Sequence, residues 1–421
     1  MDEFLHKLQS INLRGFKSIG PEGQLIEFGD ITVLIGANGV GKSNFVSFFN
    51  MLDSMMTGRL QSYVGRNGFA SSLLHYGGIK TDKIQAEITF SGEQDEKLVE
   101  KVRAGEAIPM QYIGSVAMPN KVARYRFQLV HASGDVLIFT DERFGYDNLD
   151  TFLNILGSGH KESILKDKAK GGDDICRFIY DLLSGCRVFQ FNDTSSTARI
   201  RGKGYISDVG YLHQDAGNLA AFLYTMANNP ETTKYYTRIV RHIQAIFPQF
   251  RDFRLEPSEL NEKYIELNWL EKDSDYIFGP HQLSDGTLRF MALTTLFLQP
   301  PKWLPKMIIV DEPELGLHPS AIADLASMVK QASYKAQIIL ATQSPRLVDE
   351  FDPEQIVVVE RDYFKRQSIF IKQDADMLDD WLERYSLSEL WEKNVLGGKP
   401  YGYIGDDVGK DTEKDVLGGK P

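Results

Sequence analysis

Three observations predict an α/β fold for this 421-residue chain. Short, wholly apolar strands alternate with helical patterns in the second half, as in a sheet covered on both faces. Alternating apolar and polar runs in the first third read as antiparallel strands beside that sheet. One glycine-rich loop joins a buried strand to a helix. The predicted class is α/β with a mixed sheet, an antiparallel β subdomain and a helical insertion. Its expected divisions are an N-terminal lobe over 1–145, a helical insertion or lid over 146–260, a C-terminal lobe over 261–372 and a tail over 373–421.

Taken in order, Leu8 to Phe16 alternates, with Leu8, Ser10 and Asn12 on one face and Gln9, Ile11 and Leu13 on the other. Gly20-Pro21-Glu22-Gly23 is a turn and Leu25 to Phe28 a second strand. Ile31 to Ile35 is a buried strand. Asn44 to Met56 carries Phe45, Phe48, Phe49 and Leu52 at helical spacing. Residues 57–82, rich in Gly, Ser and Arg, read as surface loop. Ile84 to Phe90, Val122 to Val130 and Asp135 to Thr140 are the antiparallel strands. From about residue 146 the pattern turns helical, at Leu149 to Leu156 and Cys176 to Leu183. The lysines at 161, 166, 168 and 170 between them read as a solvated loop. Val188 to Phe191 is a short strand and Ala198 to Lys203 a basic loop. Residues 216–247 are helical, broken near Pro230, with Tyr235, Ile239, Ile243 and Ile246 as a core stripe. Lys234, Arg238 and Arg241 lie on another face, read first as a solvated face and second as the better of two local basic patches for nucleic acid. Residues 251–270 are strands. Leu283 to Leu298 and Pro319 to Ala332 are helices, and Met307 to Val310, Ala336 to Ala341 and Gln355 to Glu360 are strands. The stretch Glu392 to Pro400 recurs as Glu413 to Pro421, differing only in Asn394 against Asp415, and reads as a mobile C-terminus.

Composition narrows the function classes. Formal net charge is −11, so any nucleic-acid contact must come from a local patch. Two cysteines, Cys176 and Cys186, suggest neither a disulfide framework nor a thiolate metal site, and imply a reducing, cytoplasmic setting. No apolar run approaches the length of a membrane span, and the first residues are too polar for a signal peptide.

The chemistry centres on Gly36-Ala37-Asn38-Gly39-Val40-Gly41-Lys42-Ser43, which fits the phosphate-loop pattern G-x-x-x-x-G-K-[ST]. Its glycines let backbone N–H groups close on phosphate oxygens, and the helix start adds its positive end. Lys42 is placed for the β- and γ-phosphates of a nucleotide, the Ser43 hydroxyl for Mg²⁺, and Asn44 opens the helix. Met307 to Val310 ends in Asp311-Glu312-Pro313-Glu314. Asp311 is placed to hold Mg²⁺ through water, and Glu312 to polarise the attacking water. Ser284, Asp285 and Gly286 open a helix, where a hydroxyl, an acid and a glycine also make a simple N-cap. Ala341-Thr342-Gln343-Ser344-Pro345 follows a strand.

Together these stretches resemble a RecF/SMC/OLD-type ABC ATPase, in the short standalone form without a Toprim domain, similar to ATPase subunits of anti-phage systems such as Septu, PARIS and retrons. Ile11 to Ser18 resembles the family's first strand motif, and Leu283-Ser284-Asp285-Gly286-Thr287 its signature motif. Asp311 to Pro319 is similar to the extended Walker B stretch, and Trp391 to Gly398 to the tail of the short members. The resemblance implies an ABC-type P-loop NTPase head that pairs head-to-tail, so that Ser284, Asp285 and Gly286 meet the γ-phosphate bound by another subunit. It implies catalytic roles for Lys42, Glu312 and Gln343, the last where relatives have a switch histidine, and an activating role for Arg66. Gln343 hydrogen-bonds but does not titrate near neutral pH, which implies slow or partner-dependent turnover. For the Q-loop glutamine, Gln190 and Gln111 both stand open. His318 is read as either interface or structural. The 76 residues after Pro345 are too few for a second nuclease domain, and no His/Cys metal spacing occurs. The implied partners are a second copy of the chain, an effector such as a nuclease, and nucleic acid through the basic patches, in defence or DNA repair. The alternatives are a transporter's nucleotide-binding subunit and a nucleotide-gated scaffold with little turnover. No N-K-x-D motif supports a GTPase.

Overall fold

The computed structural model describes residues 7–91, 122–146 and 154–398. From the N-terminus, β1 (Lys7–Arg14), β2 (Gln24–Glu27) and β3 (Ile31–Ile35) lead into α1 (Lys42–Met56), α2 (Leu60–Arg66) and α3 (Phe69–Leu73). Then come β4 (Lys83–Ser91), β5 (Val122–Ala132), β6 (Val136–Tyr146), β7 (Asn154–Gly157), α4 (Leu165–Lys170), α5 (Asp174–Ser184) and β8 (Cys186–Phe189). The middle of the chain forms β9 (Gly204–Tyr205), α6 (Leu219–Asn228), α7 (Thr233–Ile246), β10 (Phe250–Arg254), β11 (Pro257–Ser258), β12 (Asn261–Ile265), β13 (Asn268–Glu271) and β14 (Ile277–Phe278). The last part is α8 (Asp285–Leu298), β15 (Met307–Asp311), α9 (Pro319–Ala332), β16 (Gln337–Thr342), α10 (Pro345–Val348), β17 (Ile356–Asp362), β18 (Gln367–Lys372), α11 (Ala375–Leu382) and α12 (Leu387–Glu392).

Two six-stranded sheets dominate. One is antiparallel, ordered β2-β1-β4-β5-β6-β7; the other is ordered β18-β17-β3-β16-β15-β8 and is parallel except at its β18 edge. β3, β15 and β16 are buried at every position. Side chains alternate across a strand, so each sends half its residues to either face. Val33, Ile308, Ile338 and Val358 enter one core with α6 to α9. Leu34, Ile309, Ile339 and Val359 enter the other, with α1 and the antiparallel sheet. This is why the strands read as unbroken apolar runs.

α1 lies between the two sheets. Phe45 packs against Phe28 and Phe370, and Phe48 against Phe16 and Phe127. Each such ring contributes about 1.5–3 kcal/mol of burial. Phe48→Ala would open a cavity at the joint between the sheets.

Several expectations need correction. Residues 57–82 are not surface loop throughout: α2 and α3 bury Leu60, Tyr63, Val64, Ala70 and Leu73. Their short turns carry too few apolar residues to stand out from the surrounding Gly, Ser and Arg. The helix expected over Leu149 to Leu156 gives way to β7 at Asn154–Gly157, pairing with β6; its first part lies outside the described residues. The lysine-rich segment contains α4, which buries Leu165 and Ala169. The segment 146–260 is not purely helical: β7 edges one sheet and β8 the other. A bulge between Leu8 and Ser10 turns Leu8 inward with Ile11 and Leu13, against the simple alternation. Ala198 to Lys203 is not an open basic loop: it holds a 3₁₀ turn, and Arg201 is buried. Finally, part of the tail is structural, since Leu387, Leu390, Trp391 and Leu396 join the core.

Candidate functional site

In a parallel sheet the strands end together, and their carboxyl ends form a natural crevice. Here Ile35 pairs with Thr342, and Ala341 with Asp311. The loop after β3, the acids after β15 and Gln343 after β16 are therefore neighbours by register alone.

Gly36 to Gly41 form the loop and Lys42 begins α1. Lys42 is buried, and its ammonium donates to Gly36 O at 2.5 Å and Ala37 O at 3.1 Å. Burial pulls its pKa below the usual lysine value, while Glu312, Asp311 and Glu314 pull it back up. The loop thus holds a cation facing three acids. Asn38, Gly39 and Ser43 are exposed, Ala37 and Asn44 half-buried, and Val40 buried.

Asp311 is buried, which raises its pKa, while hydrogen bonds from Ser43 and Gln190 oppose the rise. Its Oδ1 is buried without a hydrogen-bond partner among the described residues. A buried carboxylate oxygen with an unused lone pair costs free energy unless something binds it. Ser43 and Asp311 are hard oxygen donors of the kind Mg²⁺ takes, with substrate and water completing the shell. The residues present fit that ion. No group of three or more His, Cys, Asp or Glu that could hold a metal occurs among the described residues.

Glu312 sits at φ 51°, the left-handed region that costs a non-glycine residue about 1–2 kcal/mol. Its N–H donates to Ala341 O at 2.7 Å. Gln343 Nε2 donates to Glu312 Oε1 at 3.2 Å. Glu314, which the motif reading did not single out, is buried and accepts the Thr342 hydroxyl at 2.5 Å. Burial raises its pKa too, and its Oε2 lacks a partner among the described residues.

The signature stretch lies at the start of α8. Ser284 is exposed and caps the helix, accepting Thr287 N–H at 3.1 Å. Asp285 is bonded to Arg201 at 2.7 Å, which holds its carboxyl below the usual range. Arg201 also donates to the carbonyls of Thr194, Pro280 and Leu283. A Cβ on Gly286 would lie 2.2 Å from Gly316 O, so only glycine fits there. Arg289 ties the helix to Leu315 O at 2.9 Å, Phe191 O at 3.1 Å and Asn192 O at 2.8 Å. Of the named partners of Ser284, Asp285 and Gly286, none belongs to the phosphate loop.

The remaining candidates separate. Gln190, at the end of β8, reaches Asp311; Gln111 lies outside the described residues. Arg66 is exposed at the end of α2, donating to Ser62 O at 3.3 Å. His318 is exposed and caps α9, with Ser320 N–H 3.3 Å from its Nδ1. Arg201 and Arg289 carry no motif of their own; a burial-resistant arginine 84 residues from its acid leaves no local signal.

A phosphate loop, an acidic strand end and a serine-capped helix start bearing a glycine give the fold of an ABC-type P-loop ATPase head. The comparisons agree. Residues 212–349 match the family model described as AAA domain, putative AbiEii toxin, Type IV TA system. That match spans the signature stretch and Asp311 to Gln343 but not the phosphate loop. The chain is 23% identical over 374 residues to Endonuclease GajA of Bacillus cereus (strain VD045), covering 84% of this chain and 58% of the relative. It therefore spans less than two thirds of that curated relative. Among solved structures it resembles an Smc head bound to the C-terminal winged-helix domain of ScpA, at 17% identity and TM-score 0.50, covering 88% of this chain and 99% of the other. It also resembles the Smc head with an extended coiled coil from Pyrococcus furiosus, bound to the C-terminal domain of ScpA, at 17% identity and TM-score 0.50, covering 89% and 98%. The fold is that of an SMC head, and the findings together support a RecF/SMC/OLD-type ATPase. No helix among the described residues is long and apolar enough to cross a membrane.

Proposed function

We propose that the chain binds ATP in the loop 36–43 and hydrolyses it to ADP and phosphate. Lys42 leaves the carbonyls of Gly36 and Ala37 for the β- and γ-phosphates. Ser43 and Asp311 would hold Mg²⁺, which supplies neutralisation of the phosphate charge. Glu312 takes a proton from the attacking water, whose oxygen bonds to the γ-phosphorus as the bond to the β–γ bridging oxygen breaks. Gln343 orients Glu312 and the water. The observation that carries this reading is the orphaned Asp311 oxygen beside Ser43 and Lys42, at the register-aligned ends of three strands.

Exposure of Ser284 at a rigidly braced helix start supports the further reading that a second copy supplies Ser284, Asp285 and Gly286 to the γ-phosphate. Arg66, exposed on α2, would join from the bound or the opposing copy. ATP closes the pair and hydrolysis releases it, gating an effector such as a nuclease, or engagement of DNA, in anti-phage defence or DNA repair. The SMC-head fold and the likeness to an endonuclease favour this over a transporter subunit. The deciding experiment is Glu312→Gln. It should bind ATP with wild-type affinity, lower turnover by about 10²–10³-fold, and accumulate an ATP-dependent dimer by light scattering. Wild-type turnover in that variant would remove Glu312 from the reaction.

A further inference from the structure

The repeated stretch near the C-terminus has no place in the mechanism above, yet its first copy reaches the phosphate loop at Gly398. Ala37 N–H donates to Gly398 O at 3.3 Å. Gly398 N–H in turn donates to the carboxylate of Glu360 in β17. Gly397 and Gly398 both sit at φ 83°. A Cβ on Gly397 would lie 2.2 Å from Glu360 Oε1, and one on Gly398 2.8 Å from Val358 Cγ1 and 3.8 Å from Gly36 Cα. The left-handed dihedral favours glycine at each position, and a side chain on Gly397 would displace the Glu360 carboxylate. Behind them Leu396 and Trp391 are buried in the core, so the segment is anchored.

The contact has a specific target. The peptide unit between Gly36 and Ala37 is gripped at both ends: its C=O accepts Lys42 Nζ at 2.5 Å and its N–H donates to Gly398. When Lys42 moves to a phosphate, the carbonyl end is released. Among the contacts of the described residues, Gly398 is then the one that keeps that peptide plane from turning, and with it the backbone leading into the cradle. A loop held in its binding geometry loses less entropy on closing around a ligand.

We propose that Leu396-Gly397-Gly398, pinned by Glu360, is a positioning element of the nucleotide site that sets affinity for the phosphates. This rests on reading residues 36–43 as a nucleotide loop. It predicts a change in binding without a change in chemistry, because no latch atom approaches Glu312 or Gln343 in the contacts described.

The test uses the full chain. In Glu360→Ala the latch loses its acceptor, and ATP Kd and KM should rise about tenfold, the scale of one well-placed hydrogen bond, with kcat within twofold. Glu360→Gln keeps an amide oxygen for Gly398 N–H and should stay within twofold of wild type on both. Gly398→Val combined with Gly419→Val removes the glycine from both copies of the repeat and should match Glu360→Ala. If Glu360→Ala and the double valine variant keep wild-type Kd and KM, the proposal is overturned, whatever their melting temperatures. A wild-type protein that binds no ATP would overturn the nucleotide reading first, and this proposal with it.

Discussion

The two halves of the candidate reaction centre are built on opposite principles. On the phosphate-loop side the acids are buried with unmet oxygens: Asp311 and Glu314 each keep one without a partner among the described residues, while buried Lys42 is held by backbone carbonyls. On the signature side they are satisfied and open: Ser284 caps its own helix, Asp285 is bonded to Arg201, and Gly286 presses on Gly316. One half stores unmet electrostatic demand for a ligand from solution. The other spends its hydrogen bonds on rigidity and offers a preformed face. Under the proposed function, the ligand would bind the first half before a second copy brings up the other.

The largest expected effect separates the halves. Lys42→Ala should weaken ATP binding by at least about 100-fold, since a buried charge-assisted contact to phosphate is lost. Ser284→Arg should leave monomer affinity within about twofold and abolish the ATP-dependent dimer. Equal losses of affinity in both, by calorimetry, would erase the contrast. Next comes Arg201→Ala, which strands three backbone carbonyls and Asp285. It should cost about 3 kcal/mol in a urea melt, since each unsatisfied buried group costs about 1–3 kcal/mol. It should also disorder the signature face while ATP still binds. A stability change below about 1 kcal/mol would mean that the face is not braced as described.

The smallest effect sharpens the other half. Burial raises the Glu314 pKa above its ordinary 4.5. The folded state therefore holds that proton more tightly than the unfolded chain. Stability contributed this way is present at low pH and falls as pH rises from the ordinary value through the raised one. Glu314→Gln should flatten this decline, so that the variant gains stability relative to wild type as pH rises above 4.5. Parallel pH slopes in denaturant melts of the two proteins would assign the decline to other groups.

Much of this was legible in the residues. Gly36 to Ser43 and Asp311-Glu312 declare themselves because a phosphate cradle and a strand-end acid pair need fixed spacings. The central strands β3, β15 and β16 are largely apolar runs because they are buried at every position. What was hidden depends on contacts through space. Arg201 reads as one basic residue in a polar loop until Asp285 is brought to it. Thr342 gains meaning only beside Glu314. Gly397 and Gly398 looked like a loose end, because nothing in their own sequence announces Glu360 or Ala37. The helices at 60–73 were missed because two turns are too short for periodicity to show against polar neighbours.

α1 has one further consequence. Its aromatic rings are shared between both sheets, and its first residue is Lys42. Neither sheet owns that helix, so neither can melt without freeing it. Heat or denaturant that loosens the antiparallel half will also release the lysine, and the protein should lose its ligand and its outer strands in one cooperative step.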